Sequence, residues 1–446
     1  DSDVVLSKKI AENPSITQLG QDINGEDEYD RSGESVSMNS DGTIVAIGAS
    51  YNDGTATYRA GHVRIYQYNG TVWNQLGNDI DGEARADYSG YSVSINGDGT
   101  IVAIGAYDND GTWNSSSADT GHVRIYQYDS GNDIWNQLGN DIDGEALYDE
   151  SGKSVSISSD GTIVAIGATL NDGTSTANDR GGQVRIYQYD GTVWNQLGQD
   201  IDGEAAVDYS GQSVSLSSDG TIVAIGANYN DGTSTDTTVE YSASHVRIYQ
   251  YDSINDIWNK LGQDIDGEAD IDYSGRSVSI NGDGTIVAIG GDYNDGTSTD
   301  TSHNAGHVRT YQYDSINDIW NKLGQDIDGE ADTDWSGWSV SINGDGTIVA
   351  IGAYYNDGTT TSNAGHVRIY QYDSIDDIWN QVGHDIDGEA ADDWSGISVS
   401  LSSDGSRVAI GAHGNDGDGN FGATYGYIGH VRVYELETIA ASYVQV

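Results

Sequence analysis

Carboxylates set the chemistry open to this chain. The stretch D-I-D-G-E-A-D-I-D, from Asp264 to Asp272, places acids at alternate positions around a glycine, and an N-D-G carrying Asp295 follows. Such spacing can gather oxygen ligands around a hard divalent cation, Ca2+ first, because glycine permits the sharp turn that calcium loops need. Asp264, Asp266, Glu268 and Asp272 are candidate metal ligands on that ground. Two further loops qualify: Y-D-N-D-G with Asp108 and Asp110, and N-D-G-D-G-N with Asp416, Asp418 and Asn420. The full EF-hand spacing with its terminal bidentate Glu is absent. Asp and Asn before Gly also cap turns through their own backbone, and an acidic surface also serves solvation in salt. All three accounts stay open at this level.

The acids belong to a unit that fills the chain. D-G-E or N-G-E followed by S-G-x-S-V-S centres on Gly25, Gly82, Gly144, Gly203, Gly267, Gly329 and Gly388, seven copies separated by 57 to 64 residues. A period held from end to end argues for one repeat architecture, not the two or three domains that 446 residues suggest. The fifth copy shows four strand-like runs, 276–281, 285–290, 307–313 and 319–323, rich in β-branched and aromatic residues. The first two are joined by G-D-G, a hairpin signal. Four antiparallel strands repeated seven times predict an all-β fold, a seven-bladed β-propeller.

The two ends of the chain predict closure. Six copies carry an outermost strand of the W-N-Q-L-G type, with Trp73, Trp135, Trp194, Trp258, Trp320 and Trp379, and the seventh has none. Ile16 to Gly20 match that register without the Trp, so the N-terminal strand is expected to complete the last blade and leave no open edge. The propeller then spans 16–436, with tails at 1–15 and 437–446. The second tail either docks on the propeller or adds to another molecule's sheet, a route to self-assembly.

In such a blade the connection into the first strand and the one between second and third emerge on one face. Both are acidic, so each blade delivers its carboxylates to the same side. Two carboxylates ~5 Å apart repel by about 3 kcal/mol at an effective dielectric near 20. One neutralising group is internal: Arg64, Arg124, Arg185, Arg247, Arg309, Arg368 and Arg432, seven of the 13 arginines, begin the third strands. A bidentate pair with the Glu of D-G-E is expected there. His62, His122, His245, His307, His366 and His430 share one repeat position, taken by Gln183 in the third copy. Blades hold such equivalent positions apart, so these histidines read as buried structural groups.

Departures from repetition point elsewhere. The residue after S-G reads Glu34, Tyr91, Lys153, Gln212, Arg276, Trp338 and Ile397, and no two copies agree. The residue before S-G is Tyr88, Tyr209, Tyr273, Trp335 or Trp394 in five copies. Aromatic planes beside carboxylates and amides can stack sugar rings or anchor a protein partner. Tyr88, Tyr91, Tyr209, Tyr273, Arg276, Trp335, Trp338 and Trp394 are therefore the candidate ligand-binding residues, against the bland reading that nothing constrains these positions.

Composition narrows the partners. A net charge of −53 argues against nucleic acid and anionic membrane surfaces, which would repel the chain. With no cysteine there is no disulfide framework and no thiolate chemistry. The stretch DSDVVLSKKI lacks the apolar core of a secretory signal, and no apolar run is long enough to span a bilayer, so direct membrane insertion is not expected. No P-loop, G-x-S-x-G or H-E-x-x-H motif occurs, and acids, Ser and His repeat with the scaffold where an active site needs one asymmetric constellation, so no enzyme is expected.

S-G-x-S-V-S followed by D-G-T-I-V-A-I-G-A resembles the F-G-x-S-V-A and G-A-P elements of FG-GAP repeats, which build the propeller of integrin α-subunits. Ser32, Ser89, Ser151, Ser210, Ser274, Ser336 and Ser395 stand where that family has Phe, and no Pro follows Gly-Ala. The family's calcium loop lies between the first and second strands, where this chain has only a tight turn, so that site transfers to no residue here. The resemblance implies a secreted or cell-surface adhesion module for a glycan or protein ligand, often calcium-supported. The rival expectation is a structural building block of an extracellular coat or appendage.

Overall fold

The computed structural model describes residues 6–8, 14–53, 58–109, 119–173, 180–230, 244–269, 271–295, 304–358, 362–417, 426–437 and 443–445. They form strands and turns without a helix. In the fifth copy the strands are Ser277–Ile280, Ile286–Gly291, His307–Asp314 and Ile319–Lys322, within about a residue of the expected runs. Each sheet is antiparallel with its strands in chain order, and seven such sheets make the propeller. One piece is additional. The outermost strand breaks at Gly324, where φ is +72°, and resumes as Ile327–Asp328 against Val308 and His307.

Burial explains the strand sequences. The second strand, I-V-A-I-G-G here, is buried along its whole length because blades cover both of its faces, so it reads as a continuous apolar run. The first strand alternates, with Val278 and Ile280 buried and Ser277 and Ser279 half-buried. The apolar clusters lie between blades: Ile286, Ala288 and Val308 of the fifth blade pack with Val340, Ile342, Val349 and Ile351 of the sixth.

Polar ladders repeat at each junction. The first Ser of S-V-S donates to a glycine carbonyl of the next blade, as Ser277 Oγ does to Gly337 at 2.8 Å. The second Ser accepts an amide from the next inner strand, as Ser279 Oγ does from Ile342 N at 3.0 Å. At the far end of the channel, backbone amides bond from blade to blade. Ser40, Gly97, Ser159, Ser218, Gly282, Gly344 and Ser403 form a closed ring of N–H···O bonds of 2.8 to 3.0 Å, ending with Ser403 N to Ser40 O. Outside, Trp320 Nε1–H donates to the Leu261 carbonyl of the preceding blade at 2.9 Å.

The last blade closes as expected. Ile16–Gln18 pairs with Leu436 to Tyr434, and Ile23–Asn24 pairs with Val431 and His430. Across the seam Ser398 Oγ donates to Gly33 O at 2.8 Å, and Met38 N donates to Ser400 Oγ at 3.0 Å. The tails pair with each other, Leu6–Lys8 with Tyr443–Gln445. Next to the propeller the two ends run side by side, where Glu437 N donates to Ser15 O at 3.1 Å.

Candidate functional site

The two acidic connections meet on one face. Asn171 Nδ2 of an N-D-G turn donates to Asp149 Oδ2 of the neighbouring entry loop at 2.9 Å, and Asn356 does so to Asp334 at 3.0 Å. Within that face the carboxylates of one loop part company. Asp272 is buried and accepts the backbone N–H groups of Glu268 and Ala269 at 3.1 and 2.9 Å, so it caps its own turn. Burial raises its pKa and those hydrogen bonds pull it back. Glu268 Oε1 lies 3.5 Å from Arg309 Nη1. The expected bidentate pair is replaced by a split one, because Arg309 Nη2 donates instead to the Asp266 carbonyl at 2.9 Å. All seven arginines repeat this, at 3.4 to 3.9 Å from their Glu, and so bridge neighbouring blades. Asp264 accepts from Lys260 Nζ at 2.8 Å, and Asp266 has its pKa raised by burial and by Asp264. Asp416 Oδ1 accepts from Gly426 N and Tyr427 N at 2.6 and 3.1 Å, closing its loop. Asp108 lies beside Tyr107 and Lys153. Asp110, Asp418 and Asn420 lie outside the described residues.

Among the described residues, the groups able to offer three metal donors combine pieces of different repeats. Glu204, His245 and Asp264 bring one ligand atom each within 4.8 Å of the others, and the same arrangement recurs around His62, His122, His366 and His430. The histidines are not brought together around the axis, yet His62, His122, His245 and His366 each meet a Glu and an Asp 17 to 41 residues away in sequence, and His430 meets Glu389 and, across the seam, Asp22, groupings that inspection of single loops misses. Burial, seconded by the adjacent Arg, lowers His245 to about 4, so its imidazole is neutral at pH 7. These histidines are buried as expected, and Nε2 of His122, His245, His307, His366 and His430 has no hydrogen-bond partner. In the third copy Gln183 donates to Asp202 Oδ1 at 3.2 Å instead.

The aromatic candidates gather at the channel mouth on this same face. Tyr209, Tyr229, Tyr273, Tyr293, Trp335 and Tyr355 follow one another with ring centroids 4.3 to 5.1 Å apart. Trp394, Tyr427 and Tyr29 continue the belt at 5.5 to 6.5 Å. Tyr88, Tyr91 and Tyr107 form a second cluster, with Tyr51 on Tyr88 at 5.2 Å. Trp338 stacks on Trp335 at 5.9 Å, and the Arg276 guanidinium lies 3.7 Å from the Trp338 ring centroid. A cavity of about 400 Å³ opens among Arg276, Trp338, Tyr354, Tyr355, Trp394 and His413.

Backbone strain is concentrated here. Arg31, Tyr88, Glu150, Tyr209, Tyr273, Trp335 and Trp394, the seven residues before S-G, all sit at φ between 51° and 57°. Such conformations cost bulky residues of order 1–3 kcal/mol and cluster where surrounding structure imposes them. A second variable ring is not among the residues singled out from sequence. The residue after I-G-A or I-G-G reads Ser50, Tyr107, Thr169, Asn228, Asp292, Tyr354 and His413. It faces the residue after S-G: Ser50 donates to Glu34, Tyr91 meets Tyr107 at 4.5 Å, and Trp338 meets Tyr354 at 4.7 Å. The signal that marks the first ring, disagreement among copies, is present here too.

Residues 327–370 match the FG-GAP repeat model, a stretch running from the outer edge of the fifth blade to the third strand of the sixth. With seven like blades, the chain is an FG-GAP-like propeller, a fold of the recognition and adhesion type. No curated protein matches it. Among solved structures it is similar to a protein from Bacteroides uniformis assigned provisionally as a 6-phosphogluconolactonase, at 11% identity and a TM-score of 0.53, over 80% of this chain and 86% of that one. At that identity the likeness concerns the fold alone. FG-GAP repeats are typically extracellular, and among the described residues no helix is long and apolar enough to cross a membrane.

Proposed function

We propose that this FG-GAP-like propeller is a non-catalytic recognition module, secreted or displayed on a cell surface, that binds a glycan or protein ligand through its aromatic, acid-rimmed face. The observation that carries this is the belt of nine rings from Tyr209 to Tyr29, which lies on a solvent-facing mouth and not in the core. Aromatic anchors beside unpaired polar groups are the usual makings of a binding hot spot. Array screening followed by titration tests it: Trp338→Ala and Tyr355→Ala are expected to weaken the best ligand at least about tenfold, as loss of a hot-spot ring does. Unchanged affinity in both variants removes the mouth from the reading.

A supporting divalent cation belongs to the same proposal. The acids of D-x-D-G-E do not converge, since Asp264 alone among Asp264, Asp266, Glu268 and Asp272 joins a three-donor group. Calcium takes six to eight oxygens, and the Glu–His–Asp groups include an imidazole, which suits zinc or manganese better. Thermal melting with Ca2+, with Zn2+ and with EDTA at matched ionic strength separates these. A rise with calcium favours all-oxygen loops, a rise with zinc favours the histidine groups, and three equal curves dismiss both.

The rival reading, an extracellular building block, draws on Ile254 and Ile316. Each is 91% exposed at a turn tip of adjacent blades, on the face opposite the mouth. Sedimentation over a rising concentration series distinguishes it, because reversible polymers are expected of a block and a constant monomer of a recognition module.

A further inference from the structure

The mouth holds cations outside the blade-bridging set. Seven of the 13 arginines bridge blades, and of the other six, Arg31 and Arg276 line the same cavity. In a chain of net charge −53, two arginines facing one cavity are poorly explained as a solvated surface. Arg276 Cζ lies over the Trp338 ring, 3.7 Å from its centroid, and Arg31 Cζ lies over the Tyr51 ring at 3.9 Å. Among the described residues neither guanidinium makes a hydrogen bond or ion pair. Stacking leaves the in-plane N–H donors of a guanidinium free and holds them in a fixed fork, the geometry that matches a carboxylate.

Other groups at the mouth lack partners as well. Trp394 Nε1 and His413 Nδ1, both on cavity-lining residues, are buried without a hydrogen bond. One is a donor and the other belongs to a neutral imidazole, since burial drives His413 down to about 3. Asp292 is buried with neither oxygen hydrogen-bonded; desolvation pushes it up to about 6 while the Arg276 charge pulls it back, so Arg276 has one acid nearby that leaves its N–H donors unused. Glu34, the acid that lines the cavity, accepts from Ser50.

We infer that the mouth takes a carboxylate-bearing sugar unit, with Arg276, held by Trp338, meeting the carboxylate and Tyr355 and Trp394 meeting the ring. This rests on the recognition reading and names its ligand class. A sugar supplies the three things the cavity lacks at once: a planar anion for the fork, hydroxyls that donate and accept beside Trp394 and His413, and an apolar C–H face for the aromatic planes. An acidic peptide side chain brings only the first. The overall negative charge does not forbid an anion, because exposed charges farther than about 8 Å are largely screened at physiological salt. The cavity's size, about 400 Å³, lies in the small-ligand range.

Calorimetric titration of the full chain tests this with three probes: tetragalacturonate, its carboxyl-reduced neutral counterpart, and tetraglutamate. The uronate is expected to bind at least tenfold more tightly than either of the others. Arg276→Gln is expected to abolish that difference, Arg276→Lys to restore part of it, and Arg407→Gln, on the opposite face, to leave it intact. Equal binding of the uronate and its reduced form overturns the carboxylate assignment, although the recognition reading survives if Trp338→Ala still weakens both. Equal binding of tetraglutamate overturns the sugar. No binding of any probe overturns the inference, and the recognition reading then falls only if arrays also find no ligand sensitive to Trp338→Ala. Should Arg276→Gln melt early, Arg276→Lys carries the comparison.

Discussion

Arginine and histidine recur at fixed repeat positions for a structural reason, and the pH response follows from it. Arg309 reaches both Glu268 and the Asp266 carbonyl, so its charge is engaged before any ligand arrives. His122 and its counterparts lie buried beside these arginines, which with burial hold the imidazole down at about 4. An unfolded histidine titrates near 6.5, so between those values the unfolded chain binds more protons and stability rises with pH. The stabilisation is complete above about 6.5 and is lost as pH falls toward about 4, by on the order of 3 kcal/mol per fully buried histidine. Asp292, raised to about 6, opposes this in part, as do Asp272 and its counterparts, also raised by burial, since protonation of these acids favours the folded chain. Denaturant midpoints are expected to drop between pH 7 and 5, and to drop less in His122→Gln, which gives the second copy the residue that the third already carries at Gln183. A midpoint independent of pH in that window would contradict the burial argument.

At the level of the strand, each blade is tied to its neighbour by a small set of side chains that the repeat supplies every time. The indole of Trp320 donates to Leu261 O at 2.9 Å, and the Gly262 that follows sits at φ +73° with no room for a Cβ against the Trp320 ring, only 2.8 Å away. Leu-Gly in the outer strand and Trp one repeat later are thus one device. Trp320→Phe keeps most of the apolar contact and orphans the Leu261 carbonyl, so a loss of about 1–3 kcal/mol is expected by chemical denaturation. A change below about 0.5 kcal/mol, the size usual for neutral surface substitutions, would show that water replaces the bond. The serines of S-V-S do the corresponding work at the channel. Their two hydroxyl bonds per junction explain why the copies keep Ser at both positions, where alternation alone asks only for a small half-buried residue.

For the molecule as a ring, the outer edge of the last blade is closed by the N-terminal segment. Ile16–Gln18 covers the edge of His430–Leu436, and Ile16 packs at the position where the other blades use a Trp. Removing residues 1–20 uncovers that edge, so a lower melting temperature and concentration-dependent self-association are expected by calorimetry and light scattering. Glu437 N lies 3.1 Å from Ser15 O, so a permutant carrying 14–20 after 437 is expected to recover both properties. Recovery of neither would place the stability of the ring elsewhere than in its closure.

The repeat, its strands, the number of blades and the closing segment are legible in the order of residues, because β-structure of this kind is made of local alternation and turn chemistry repeated at a constant interval. The face that carries the acids is legible too, since antiparallel connectivity leaves no choice of side. The partners of individual side chains are not. Glu204, His245 and Asp264 are brought together by one blade leaning on the next. The chain therefore announces Asp264 to Asp272 as one acidic cluster, and folding divides it among a lysine, an arginine and the loop's own amides. The ring of residues from Ser50 to His413 varies visibly in sequence, but only the fold shows that each faces the residue after S-G. Contacts between neighbouring blades join positions far apart in sequence, and only the packed ring puts those positions within reach of one another.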